Sequence, residues 1–348
     1  MAQTPDARPG VSYVMPVLNE VAYLASAVGS VLEQDYDGPV EVILALGLST
    51  DGTADVVAAL TADDDRIRVV ENPGMDIPIG LNLAIAAARY PVIVRVDAHT
   101  ELSADYTRRG VESLARTGAA SVGGVMVAEG RPGVQAAVAR AYNSRFGLGG
   151  GAYHHDDARE GPAESAYLGV MDAALLRSVG GYDETVRRGE DWELNYRLRT
   201  AGQTVWFDPT LRVRYWPRSS WGALMRQFWA TGVWRGELVR RLGARNSLRY
   251  FAPPALVLDL VLCLLLTPFL AVGVVGGWVA WVLALVYLGP LAYLGLLAVA
   301  AVTSTGSFGD RIRFAAVLAV MHLSWGGGFL IGVTRGARDA VDTSRTES

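Results

Sequence analysis

The chain reads as an α/β protein: a doubly wound, mostly parallel sheet, followed by an interfacial helix and then by helices apolar enough to enter a membrane. Three observations predict this. Short apolar runs rich in β-branched residues alternate with helical stretches from residue 11 to residue 127. Between residues 253 and 303 charge almost vanishes, with Asp259 the one Asp, Glu, Lys or Arg in the run. Just before that run, arginines and aromatic residues interleave.

In order, strands at 11–17, 40–46, 67–70, 92–96 and 121–127 alternate with helices at 22–33, 53–61, 79–89 and 104–116. The βαβα order places the strands in a mostly parallel sheet. Residues 147–161 are polar and glycine-rich, and read as a loop. Residues 221–249 carry Arg226, Arg235, Arg240, Arg241, Arg245 and Arg249 among Trp221, Phe228, Trp229 and Trp234. That mixture suits a helix lying on a membrane surface, cationic toward anionic headgroups. The uncharged run from 253 to 303 is long enough for two crossings at roughly 20 residues each, with Gly276-Gly277 as the turn. A third apolar stretch spans 314–333.

The resulting organisation is an α/β domain over 1–218, an interfacial segment over 219–250, about three crossings over 251–336 and a polar tail over 337–348. The arginine-rich approach, with Arg311 and Arg313 in the second loop, assigns the α/β domain to the cytoplasmic face. Three crossings put the tail outside, yet it holds Arg335, Arg338 and Arg345. The alternative is a broken or re-entrant segment marked by Pro290 or by Gly326-Gly327-Gly328.

The bulk numbers exclude several classes. A formal net charge of −4 offers no basic field for nucleic acid. All 31 basic residues are arginine, and the single cysteine, Cys263, rules out both a disulfide framework and a cysteine metal site. Residues 1–10 are polar, with two prolines, and lack the apolar core of a signal peptide.

Four motifs can carry chemistry, and each has a plainer reading. The first strand runs into Pro16-Val17-Leu18-Asn19-Glu20 without the G-x-G-x-x-G of a dinucleotide fold. It forms either a capped turn or a pocket edge. Ser49-Thr50-Asp51-Gly52-Thr53 makes a turn and a helix start, whose backbone N–H groups can face a nucleotide. Val92 to Val96 ends in Asp97-Ala98-His99, which puts a carboxylate and an imidazole at the carboxyl edge of the sheet. They serve as a helix cap and a loop residue, or they hold Mn²⁺ or Mg²⁺ once substrate phosphates complete the shell. Glu190 and Asp191 open a helix on which Leu194 and Leu198 share a face. They complement its dipole, or one of them is a general base at a cleft rim. His154-His155-Asp156-Asp157 reads as loop rather than metal site, and His322 stands inside the third apolar stretch.

Taken together, in this order and spacing, these pieces resemble the family 2 glycosyltransferases of the GT-A fold, specifically the membrane-attached, succinoglycan-type glucosyltransferases. The resemblance runs through Pro78-Ile79-Gly80-Leu81-Asn82, Arg95 to Thr100, Gly123-Gly124, Tyr167-Leu168-Gly169, Glu190-Asp191 and Arg226 to Arg235. It implies an inverting, metal-dependent transfer of a hexose, glucose from UDP-glucose, onto a polyprenyl-linked acceptor at the cytoplasmic membrane face. Asp191 is then the catalytic base, and Asp97 and His99 hold the Mn²⁺ or Mg²⁺. Pro16, Val17, Asn19, Glu20, Asp51, Asn82, Arg95 and Asp97 bind the donor. Glu190, Gln227, Trp234 and Arg235 belong to the acceptor side; Gln227 to Trp234 read Q-x-x-x-x-G-x-W, a segment that closes over both substrates, with Trp234 offering a ring face to a sugar. Leu46 departs from the family pattern, which places there an Asp that contacts the nucleotide base. Two alternatives use the same features: a transferase whose acceptor is polyprenyl phosphate itself, and a non-catalytic membrane scaffold with a degraded nucleotide site.

Overall fold

Burial along the strands sets the sheet. The computed structural model describes residues 8–148, 159–243, 248–273 and 277–337. In it β1 (Val11–Val17) is buried along its whole length and pairs in parallel with β2 (Val40–Leu46) on one side and β4 (Val92–Arg95) on the other. A strand covered on both faces needs apolar side chains at every position, which explains the unbroken run. β3 (Ile67–Glu71) adds in parallel to the free edge of β2.

Beyond β4 the sheet changes character. β8 (Val170–Asp172) runs antiparallel between β4 and β6 (Ser121–Ala128). β9 (Val205–Tyr215) lies parallel to β6, and takes β5 (Thr100–Leu102) and β7 (Gly161–Pro162) in antiparallel pairs. The order is β3-β2-β1-β4-β8-β6-β9-β5, with β7 on β9. The expected mostly parallel sheet therefore holds for its first half, and the whole is mixed. β5, β7 and β8 have two or three residues each, too few to leave a periodic signature.

Helices cover both faces. Val11, Tyr13, Met15 and Val17 of β1 point into one core with Leu24, Ala27, Val28 and Val31 of α1 (Leu24–Leu32). That spacing is one helix face. α2 (Thr53–Asp63) and α4 (Tyr106–Thr117) contribute to the same layer. Val14, Ile43, Ala45 and Ile93 point the other way, against α3 (Ile77–Ala87), α6 (Ala173–Ser178) and α7 (Glu190–Thr200). Gly123 and Gly124 sit where the β6–β9 register shifts. A Cβ at Gly124 would collide with the Leu211 backbone, and one at Gly123 with that of Tyr167. Close backbone approach requires glycine there.

By contacts, the described parts of 1–129 and 150–216 form one compact unit, and those of 130–149 and 217–348 another. The second unit thus takes α5 (Val134–Tyr142) from the middle of the expected α/β domain. Its main helix is α8 (Trp221–Leu242), which presents exposed Trp221, Met225 and Trp229 on one side. Among the described residues, three helices are long and apolar enough to cross a membrane: α9 (Ala252–Ala271), the segment Gly277–Thr303, and α12 (Phe308–Arg335).

The middle one consists of α10 (Gly277–Ala284), a 3-10 turn at Leu285–Tyr287 and α11 (Leu288–Thr303). Pro290 accounts for this break. It has no N–H for the carbonyl four residues back, and that carbonyl, on Val286, accepts the Cys263 thiol at 3.7 Å. Gly326-Gly327-Gly328 do not break α12, which runs on to Arg335. Gly232 and Gly236 of α8 face Gly328 and Gly332 of α12 so closely that a Cβ on any of them would strike the partner's backbone. The glycines permit backbone contact, as small residues four apart do between helices. Gly276, Arg245, Arg338, Arg345 and the His154 to Asp157 run lie outside the described residues.

Candidate active site

β4 ends at the carboxyl edge of the sheet and delivers Arg95, Asp97 and His99 in succession. Arg95 is buried, at 3% exposure. Its backbone N–H donates to the Gly169 carbonyl at 3.2 Å, which draws the Tyr167-Leu168-Gly169 turn across the strand end. Its guanidinium donates to three carboxylates. Nη2 reaches Asp97 Oδ1 at 3.1 Å and Glu190 Oε1 at 2.8 Å, and Nη1 is hydrogen-bonded to Asp191 Oδ1.

Glu190 and Asp191 arrive on the first turn of α7, behind Gly189, whose φ of +76° suits glycine. The Tyr182 hydroxyl donates to Asp191 Oδ1 at 3.3 Å, and the Arg95 guanidinium lies over the Tyr182 ring at 5.8 Å. Burial pushes the Asp191 carboxyl up to about 7. Arg95 opposes that shift, while the charges on Glu190 and Asp97 add to it. Three carboxylates on one guanidinium leave a surplus of negative charge, which a proton on Asp191 relieves. A bound cation would relieve it equally well.

His99 Nδ1 meets Glu20 Oε1 at 3.1 Å, and both side chains are about nine-tenths buried. With the Nδ1 proton donated to Glu20, Nε2 carries the lone pair. A carboxylate that takes the other ring N–H in this way usually orients a metal-binding histidine. The donor set of Asp97 and His99, in carboxylate-rich surroundings, therefore fits a divalent metal whose other ligands come from a diphosphate and water. Among the described residues, no group of three or more His, Cys, Asp or Glu could hold a metal without such help.

Several expected donor contacts have another task. Asn19, at φ +53°, accepts the Thr50 N–H on Oδ1 at 2.8 Å, and its own N–H donates to Ser49 Oγ. Asp51 accepts from the N–H groups of Val21 and Thr53 at 3.1 and 3.0 Å. These two side chains lash together the turns after β1 and β2. Pro16 and Val17 are buried strand residues, with the Val17 carbonyl taking the Gly47 N–H at 2.9 Å. Asn82 donates to the Tyr182 carbonyl at 2.9 Å and Glu184 Oε1 at 3.0 Å, and accepts the Tyr182 N–H at 2.9 Å. It holds Tyr182 against Asp191. Leu46 packs on the core, while Leu48 is 71% exposed beside the same turn.

In the second unit, Trp234 is 3% exposed, which corrects the expectation of an open ring for a sugar. Arg235 lies over the Tyr250 ring at 4.2 Å. Gln227 is half-buried on α8. Sequence reasoning missed Tyr182, an aromatic residue in a loop with no spacing signal, and the pairing of Glu20 with His99, 79 positions apart.

Comparison with known proteins agrees with this layout. Residues 12–169 match the model of "Glycosyl transferase family 2". The chain is 33% identical over 318 residues to the succinoglycan biosynthesis protein ExoA of Rhizobium meliloti (strain 1021), covering 91% of this chain and 92% of that protein. It is 25% identical over 243 residues to a Methanococcus voltae dolichyl N-acetyl-alpha-D-glucosaminyl phosphate 3-beta-D-2,3-diacetamido-2,3-dideoxy-beta-D-glucuronosyltransferase, covering 66% and 74%. Among solved structures, the mannosyltransferase PcManGT of Pyrobaculum calidifontis, in complex with GDP-Man and Mn²⁺, superposes with a TM-score of 0.56 at 18% identity. That match covers 98% of this chain and 90% of that one.

Proposed function

The chain belongs to glycosyl transferase family 2, and from that premise we propose that it is an inverting, metal-dependent hexosyltransferase. In this reading it transfers glucose from UDP-glucose to a polyprenyl-linked glycan at the cytoplasmic face of the cell membrane. The observation that carries the proposal is the cluster of Asp97, Glu190 and Asp191 on Arg95, with the Glu20–His99 pair beside it.

Asp191 is the base. A carboxyl that titrates near neutral pH accepts a hydroxyl proton better than an ordinary one does, while still being ionised in half or more of the molecules at pH 7 and above. It removes the proton as the acceptor oxygen attacks the anomeric carbon. The bond from that carbon to the diphosphate oxygen breaks on the opposite face, which inverts the centre. Tyr182 and Arg95 fix the direction of the Asp191 carboxylate through Oδ1. Asp97 and His99 would hold the metal, with Glu20 setting the imidazole tautomer. The metal's contribution when bound is to neutralise the leaving diphosphate. The turns clasped by Asn19 and Asp51 form the floor of the nucleotide pocket, and exposed Leu48 supplies an apolar contact for the base.

A lipid-linked acceptor agrees with the three apolar helices and with the dolichyl phosphate named for the Methanococcus relative. The test is transfer of labelled glucose from UDP-glucose to lipid extract by membranes holding wild type or Asp191→Asn. Loss of transfer with retained UDP binding is expected for the variant, and equal transfer by both would overturn the role of the base. GDP-sugars and EDTA serve as the comparison arms for donor and metal.

A further inference from the structure

The three apolar helices are not equivalent. The best 18-residue window of α9 is 11% buried within the protein, and that of Gly277–Thr303 is 0% buried. For α12 the figure is 39%. α9 and α11 present Leu264, Leu265, Leu291, Leu294 and Val302 at 60% exposure or more. α12 buries Phe314, Val317, Leu318, Met321, Phe329, Gly326, Gly328 and Gly332.

Much of α12 is covered by the charged helix α8 and by α5, while the start of α9, at Pro253 and Val257, packs on Gly326. Near its start, Arg140 of α5 donates to Ser304 Oγ at 3.2 Å. At its middle, His322 Nε2 meets the Phe146 carbonyl at 2.9 Å, while Nδ1 meets the Tyr293 hydroxyl at 3.0 Å. Along its last third it lies backbone to backbone with α8, Gly328 on Trp229 and Gly332 on Val233, and Gly336 abuts Arg240 and Glu237. The two helices run in the same direction. α8 carries Arg226, Arg235, Glu237, Arg240 and Arg241, so it does not lie in hydrocarbon. α5 lies in a connection too short to cross a bilayer and return. Residues 129–160 link β6 to β7, fewer than the roughly 40 that two crossings need.

We propose that only α9 and the Gly277–Thr303 segment cross the bilayer, as a hairpin, and that α12 lies along the near surface as a strap against α5 and α8. Both ends of α12 then share one side of the membrane with α8, and the chain's C-terminus is cytoplasmic. This rests on the membrane reading above and replaces its third crossing. It also resolves the charge conflict in the tail. Arg226, Arg240, Arg311, Arg313 and Arg335 all fall on one side, and no arginine lies between Phe251 and Thr303. The lipid surface that the fold accepts is thus the exposed face of the hairpin, continued at the interface by Trp221, Met225 and Trp229 of α8.

Single cysteines in the full chain test the proposal. In a Cys263→Ala background, Val272→Cys marks the hairpin tip, Thr305→Cys the entry to α12 and Thr334→Cys its end. A membrane-impermeant maleimide is applied to spheroplasts and to inside-out vesicles. The expected result is labelling of position 272 in spheroplasts only, and of 305 and 334 in inverted vesicles only. Labelling of 334 from outside, or activity of alkaline phosphatase fused to the C-terminus, establishes a third crossing and overturns the proposal. Labelling of 272 from inside overturns the spanning hairpin. GFP fluorescence from the same C-terminal position supports it if reagent access is poor. Protein recovered in the soluble fraction would instead defeat the membrane reading itself, independently of sidedness.

Discussion

Two buried charge clusters in this chain are near mirror images. At the end of β4, one arginine holds three carboxylates. On α8, one carboxylate holds two arginines: Glu237, 1% exposed, accepts from Arg240 Nε at 2.8 Å and Arg241 Nε at 2.6 Å. Burial pushes the Glu237 carboxyl up, but the hydrogen bonds from Arg241 and Arg240 outweigh it and leave the group below its ordinary range. The half-exposed arginine ends disperse the excess positive charge into water. The Arg95 cluster has no such outlet, and its unbalanced charge appears as a raised carboxyl. A balanced cluster holds a structure together. An unbalanced one is prepared to take up a cation or a proton.

Breaking each cluster should therefore give different results. The largest effect is expected for Asp191→Asn, which should lower transfer by about 10²- to 10⁴-fold in a labelled-sugar assay. Its stability should be unchanged or higher than wild type above pH 7. A raised folded-state carboxyl binds its proton more tightly than the unfolded chain does. Wild-type stability from this group thus falls as pH rises from the ordinary carboxyl range to about 7. Thermal melts of both proteins across that window check the sign. Next, Arg95→Met leaves three carboxylates without their cation and should cost about 3–5 kcal/mol in denaturant unfolding. Glu20→Gln should weaken Mn²⁺ binding in the presence of UDP by about 10- to 100-fold, with little change in UDP binding alone, measured calorimetrically. The smallest effect belongs to Glu237→Gln, about 1–3 kcal/mol of stability by the same melts. The acid limb of the kcat/KM profile, expected near pH 7 from Asp191, should not move in that variant.

How much of this was legible in the sequence follows from the range over which each signal acts. Strands β1, β2 and β4 and helices α1, α2 and α4 were readable because a local pattern of burial determines them. The antiparallel insertion of β8 was not, since three residues show no period and their partners, β4 and β6, lie far away in the chain. At the site, Asp97, His99, Glu190 and Asp191 were recognisable as chemical types. The convergence of Asp97, Glu190 and Asp191 on Arg95 was not, because that contact spans 96 positions to Asp191. The family resemblance assigns Asn82 and Asp51 to the donor side. In the structure both also satisfy backbone groups of neighbouring turns, which short amides and carboxylates do well and which sequence spacing does not show. The glycines of α12 suggested a break because glycine weakens isolated helices. Only the second helix shows that they serve close packing.

The Asn82 clasp bears on recombination between relatives. The residue belongs to α3, whereas its three partner atoms belong to Tyr182 and Glu184, a hundred positions later and shortly ahead of Asp191. A chimaera joined anywhere between them inherits the two sides of this contact from different parents. N- and C-terminal halves drawn from different relatives can therefore each be well folded and still misdirect Asp191, unless position 82 and residues 182–184 come from the same parent.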